Sequence, residues 1–346
     1  MSDFGLTKES VQGLGPGAYL VNVLPSAVLV TGTLAVVTSH LYPWADPLIT
    51  SKGTAIPEGP ASVLASLEGI DISGGILLAF SILFVSVLLR PYQITAVQIL
   101  EGYWHHRRGL AAFEAIAIER HLRRIGISHA TQLDMPEDRL PVISFSSVAH
   151  RARQHHLIQR RVKDAQEILD NYPEDANDVM PTHLGNILKR AETSAGERYG
   201  LNTVLSYPRL FPYLSAKLGQ ETETQLNVID SASSLTIITA SLAALTTPFI
   251  ARFDGWSALP AGLAATAMVS YSGARLAARR YALVLSASFD LHRFDMLAAM
   301  HRRLPRNASE EFLENQSLNY VLAGDKAKDS ETPERWRYVH GADKNR

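Results

Sequence analysis

The chain has 346 residues, 33 Lys and Arg against 34 Asp and Glu, 46% hydrophobic residues and no cysteine. The near-neutral balance argues against a nucleic-acid binder, and the missing thiols exclude a disulfide framework or a thiolate metal centre. The averages of an ordinary soluble protein conceal a partition, because the uncharged residues fall into long runs.

Residues 1–18 read as a cytoplasmic lead, in which Gly13-x-Gly-x-Gly17 follows no strand and is a flexible approach rather than a phosphate loop. Tyr19 to Thr38 is uncharged for twenty residues, long enough for a helix to cross a bilayer, and Asn22 with Pro25 predicts a local kink. Lys8 is the sole cation ahead of it and no small-x-small cleavage pattern follows before His40, so a retained span is expected rather than a signal peptide. The loop 42–71, with Pro43, Pro47, Pro57 and Pro60, reads as a short irregular outer cap. Ile72 to Leu89 is then uncharged for eighteen residues, a helical rise of about 27 Å. Arg90 can snorkel to phosphate level, and Pro91 interrupts the ladder, which closes a two-span block at 19–90.

Residues 91–230 read as a cytoplasmic helical domain. Ile94, Val97, Leu100 and Trp104 recur at helical spacing, so the second span is expected to run on as an amphipathic helix, with Tyr103 and Trp104 as candidate interfacial residues. Glu101 with His105, and the pairs His105-His106 and His155-His156, offer too few ligands for a metal centre; no metal or cofactor is expected. His150 to Lys163 holds five Lys or Arg and no acid, and Asp164 to Asp178 holds six acids and no base. That dipolar run suits docking between copies, contact with anionic lipid heads, or plain solvation. Pro181 and Thr182 can open a helix with Leu184, Ile187 and Leu188 on its apolar face and Gly196 or Gly200 at its close. In the run 207–214, two prolines break an aromatic, apolar stretch too short to cross; Pro208, Arg209, Phe211 and Tyr213 are candidates for a segment at the inner leaflet or in the domain's core.

The block 231–274 holds two further spans, Ser231 to Ala251 and Gly255 to Ala274, both rich in Ala, Ser and Thr. Ala258, Gly262, Thr266, Ser270, Ala274 and Ala278 recur every four residues, as do Ala232, Thr236, Ala240 and Ala244. Such stripes let backbones approach closely, so these residues are candidates for helix packing or, through the hydroxyls, for a pore-facing polar path. Leu276, Leu283, Ala287, Leu291, Phe294 and Ala298 extend an apolar stripe through 275–323, which predicts one helix from Trp256 to Arg303 and a last short helix capped by Asn307 or Ser309 and running through Val321. Residues 324–346 are a polar, charged tail.

The expected fold class is therefore all-α, with four transmembrane helices, a helical domain inserted between spans two and three, and a fourth helix continuing into the cytoplasm. Seventeen Lys or Arg lie between Arg90 and Asp230, against Lys52 alone in the loop 42–71, which places that domain and both termini inside a multi-pass protein of the plasma (inner) membrane. No Asp, Glu, Lys, Arg or His interrupts a span, an arrangement that suits a passive pore better than a coupled pump. No Gly-x4-Gly-Lys-Ser/Thr, His-Glu-x2-His or Gly-x-Ser-x-Gly motif occurs, and no catalytic role is expected.

The stretches PTHLGNILKRAE, RYGLN, YPRLFPYL, FDLHRFDMLAAM and RPYQITAVQILEGYW resemble a group of predicted multi-pass membrane proteins from actinobacteria, across spans two to four. The resemblance implies a membrane setting and carries no activity. The layout is also similar in topology, without a shared motif, to that of bestrophin-type anion channels. The expected function is a homo-oligomeric, channel-like membrane protein, assembled or gated by its helical domain, with lipid and its own copies as partners. The alternative is a non-conducting scaffold or signalling protein that presents that domain to a cytoplasmic protein.

Overall fold

A computed structural model describes residues 16–38, 72–104, 111–133, 159–252 and 255–324, and these are helical with no strand among them. The helices are α1 (Pro16–Thr38), α2 (Ile72–Leu89), α3 (Gln93–Glu101), α4 (Ala111–Leu133), α5 (His183–Glu197), α6 (Thr203–Leu210), α7 (Ala216–Thr246), α8 (Leu259–Ala299) and α9 (Ala308–Leu322), with a further helical stretch at 159–169. The glycine-rich lead up to residue 15, the loop 42–71, both histidine pairs, the basic run to residue 158 and the tail from 325 lie outside the described residues.

By its contacts the chain divides into two compact units, Met1–Ile99 with Glu223–Ala277 and Leu100–Thr222 with Ala278–Arg346. In unit one, α1 packs on α2. Pro25 lies inside α1. A Cβ on Gly32 would stand 2.6 Å from Leu242 Cδ1, which marks where α1 and α7 come close. Leu89 ends α2 and Arg90–Tyr92 form a 3-10 turn before α3, because Pro91 has no N–H to continue the ladder. The inward face of α3 carries Ala96, while Ile94, expected on the packing face, is exposed.

Among the described residues, two helical stretches are long and apolar enough to cross a membrane, Ile72–Glu101 and Ala216–Thr246. α2 buries none of its residues within the chain. The described apolar run of α1 is shorter, Val23–Leu34.

Three boundaries differ from those expected. α7 starts at Ala216, not Ser231, because Thr222, Gln225 and Ile229 give its polar first half a buried face at helical spacing. It ends at Thr246, ahead of Pro248, in a 3-10 turn Thr247–Arg252. α8 runs 41 residues, beginning after the 3-10 turn Gly255–Ala258 and ending at Ala299. Its end is a Schellman closure: His301 N–H donates to Ala298 O, Arg302 N–H donates to Leu297 O, and His301 holds φ 55.

The core of unit two gathers Leu201, Leu210, Leu285, Phe289, Met296, Leu297, Leu318 and Leu322 from the α5–α6 region, α8 and α9. α5 closes the same way as α8, with Gly200 at φ +75 and Leu201 N–H donating to Gly196 O. Asn315 Nδ2 donates to Tyr199 O and Asn319 Nδ2 to Gly200 O, so α9 clasps that turn. Asn307 caps α9 by accepting from Glu310 N–H at 2.8 Å.

Candidate functional site

Small residues meet where α7 and α8 pack. Ser270 Oγ donates across the pair to Ala232 O at 2.8 Å. A residue every four advances 40° around a helix, so each stripe winds from one face to another. Ala258, in the turn before α8, and Gly262 and Thr266 on α8 are exposed, whereas Ser270, Ala274 and Ala278 are buried. On α7, Ala232 and Thr236 lie inward and Ala240 and Ala244 are exposed. Ala232 and Ser270 are thus where the two stripes touch.

The hydroxyls on these helices bond mostly one turn back. Thr236 donates to Ala232 O, Thr239 to Leu235 O, Thr246 to Leu242 O and Thr266 to Gly262 O. Such bonds satisfy the hydroxyl without a partner helix or water. Ser233 and Ser234 are buried hydroxyls with no hydrogen-bond partner.

The apolar residues of α8 occupy two opposite faces. Ala274, Ala278, Leu285, Phe289 and Met296 are buried. The stripe expected to need cover is the uncovered one, with Leu276 56% exposed, Leu283 73% and Leu291 66%, and Val269, outside the expected stripe, is 73% exposed on the same side. Val269, Leu276 and Leu283 stand seven residues apart, the spacing of a supercoiled seam, and Gly262 lies seven before Val269.

Among the candidate interfacial residues, Tyr103 is exposed and Trp104 half-buried. Burial, then Glu101 and Glu192, push the Tyr103 phenol up. Pro208, Arg209, Phe211 and Tyr213 are exposed on α6 and the 3-10 turn Phe211–Tyr213, while Leu210 between them is wholly buried. The segment therefore serves the core on one side and offers Arg209 and two aromatics on the other. Fifteen residues, Ala216 to Asp230, separate it helically from the uncharged run.

Unit two holds further features absent from the sequence reading. A cleft of about 740 Å³ is lined by Glu174, Asp178, Lys189, Glu192, Phe312 and Gln316 among others. Lys189 pairs with Asp178 at 3.2 Å and Arg190 with Glu174 at 2.8 Å. Burial pushes the Glu192 carboxyl up, against the pull of Lys189. Arg293 Nε meets Glu311 Oε1 at 2.7 Å, with only 15% and 8% of the two side chains exposed, and the guanidinium lies 4.0 Å from the Tyr199 ring centroid. His121, Tyr172 and His183 form a ring cluster, with 4.7 Å between the two imidazole centroids. His121 and Tyr172 stand 51 positions apart, and no local pattern signals such a meeting. Among the described residues no three His, Asp or Glu side chains converge as a metal site requires.

Comparison of the chain with family profiles, curated proteins and solved structures finds no match.

Proposed function

We propose that the protein is a homo-oligomeric, channel-like membrane protein with four crossings and both termini inside, assembled or gated by the helical unit made of residues 100–222 and 278–346. The observation that carries this reading is α8: one unbroken helix joining a small-residue stretch to an apolar face that is exposed among the described residues. Seven-residue spacing of exposed apolar side chains suits a helix of the same repeat, which a second copy supplies. α2, which buries none of its residues and leaves Ile76, Leu77, Phe80, Leu83, Phe84 and Val87 exposed, adds the demand for lipid. Ala258, Gly262 and Thr266 then face a neighbouring copy. No catalytic step, metal or cofactor is assigned.

Flux from liposomes that carry the purified protein tests the reading. Dye or ion release that scales with protein and disappears in an oligomer-breaking α8 variant supports it. A reconstituted oligomer that stays tight to every probe ion contradicts it. The second reading, a scaffold for a cytoplasmic protein, is favoured by the acidic cleft; a partner lost on substituting Glu192 and Glu197, with no flux, would select it.

A further inference from the structure

Two hollows in unit two share a border. The cleft of about 740 Å³ and a second hollow of about 550 Å³ both reach Gln316 and Asn319, so they form one groove along α9. α9 turns Glu311, Asn315, Leu318 and Leu322 inward and leaves Phe312, Leu313 and Tyr320 exposed in the groove. Every α9 residue in the described lining is uncharged. The wall made by α5 and the segment 174–178 differs: Glu174, Asp175, Asp178, Glu192 and Glu197 stand there, with Lys189 as the one cation in the described lining. Lys189 is already drawn to Asp178, as Arg190 is to Glu174. The groove therefore joins an aromatic, uncharged side to a side with an excess of negative charge.

Such a groove suits a peptide that carries cations and aromatic rings together, because guanidiniums pair with carboxylates and rings cover exposed apolar side chains. The chain holds a stretch of that kind beyond α9. Arg335-Trp336-Arg337-Tyr338-Val339 lies in the tail, outside the described residues, and is the tail's aromatic stretch. In extended chain successive side chains point to opposite sides, so Arg335 and Arg337 would share one side and Trp336 and Tyr338 the other. That division matches the two walls of the groove. Length permits the return. α9 ends at Leu322, and Gly324 follows in a left-handed conformation at φ +86. The ten residues 325–334 reach about 33 Å at full extension, against about 22 Å for the whole of α9.

We propose that residues 335–339 dock in the groove of their own chain, with Arg335 and Arg337 on the Glu192 and Glu197 carboxylates and Trp336 and Tyr338 against Phe312, Leu313 and Tyr320. The docked segment takes aromatic surface on both partners out of water and adds charge-assisted bonds along α5. It also fills the cleft, so a cytoplasmic protein that enters the cleft must first displace the tail. The contact lies within unit two and requires neither the four crossings nor conduction.

The absence of cysteine allows a paired-thiol test in the full-length protein. Gln316→Cys, an exposed position common to both hollows, is combined with Val339→Cys, and disulfide formation under mild oxidation is timed. A link within one chain is expected, because docking raises the effective concentration of the second thiol above that of a free tether. Trp336→Ala, and separately Arg335→Gln with Arg337→Gln, are expected to slow it about tenfold, a docking preference of about 1.4 kcal/mol, while each single thiol keeps its reactivity toward a maleimide. These changes touch no residue of the described helices, so the fold is left as it is. A rate that either change leaves as it was overturns the proposal. In a mixture of isotopically labelled and unlabelled chains, links found between chains rather than within them overturn it equally.

Discussion

Thr182 joins two helices through one hydroxyl: Oγ1 accepts from Gly185 N–H at 2.9 Å, capping α5, and donates to Leu100 O and Glu101 O, closing α3. Its neighbours complete the joint. Pro181 covers Gly102, which holds φ +101, and a Cβ on Gly185 would collide with Glu101 O. Asn186, 1% exposed, donates to Met180 O and Thr182 O and accepts from Met180 N–H. Thr182→Ala is expected to cost about 1–2 kcal/mol and Thr182→Ser a fraction of that, read as the melting midpoint in detergent. Arg293→Ala leaves Glu311 buried without its cation and is expected to cost about 3 kcal/mol or more by the same assay. The double change Arg293→Met with Glu311→Leu removes both charges and should cost far less; equal losses would show that the pair acts through packing alone. The cap at Thr182 was legible in the sequence because capping is local. The bond to α3 was not, since it joins positions 82 and 81 residues apart.

At the scale of elements, short helices followed their local signals. α9 begins after Asn307, one of the two caps expected, and ends at Leu322, with Gly324 at φ +86 beyond it. Helix ends set by tertiary contact were harder to read. The first half of α7 is polar, so an uncharged-run criterion starts the helix too late, although Thr222, Gln225 and Ile229 already face inward. The end of α8 rests on His301 in a left-handed conformation, which residue preference does not advertise. Periodicity found an apolar stripe on α8 without revealing that a second, opposite stripe builds the core. The exposed stripe yields a direct prediction. Because the protein has no cysteine, Leu283→Cys introduces a single thiol, and mild oxidation is expected to join two copies; Leu285→Cys, on the buried face, is expected not to cross-link. Cross-linking at both positions, or at neither, would remove the case for a seam along α8.

At the scale of the whole molecule, the chain alternates between its two units, and only α7 and α8 contribute residues to both beyond the first hundred positions. Composition made the all-helical class and the uncharged runs legible, because a helix is the segment that satisfies its own backbone in lipid. It left open which runs cross. The run in α8 carries Ala, Gly and Ser in place of Leu and Ile, residues that favour close helix contact and weaken the hydropathy signal together. The proposed topology requires the loop 42–71 and residues 100–222 to lie on opposite sides of a bilayer. Two single-cysteine variants test it most directly, Lys52→Cys and Lys217→Cys, each expressed in intact cells and exposed to a membrane-impermeant maleimide. Position 52 labelled from outside, and position 217 only after permeabilisation, is the result predicted. Labelling of both from the same side would contradict it.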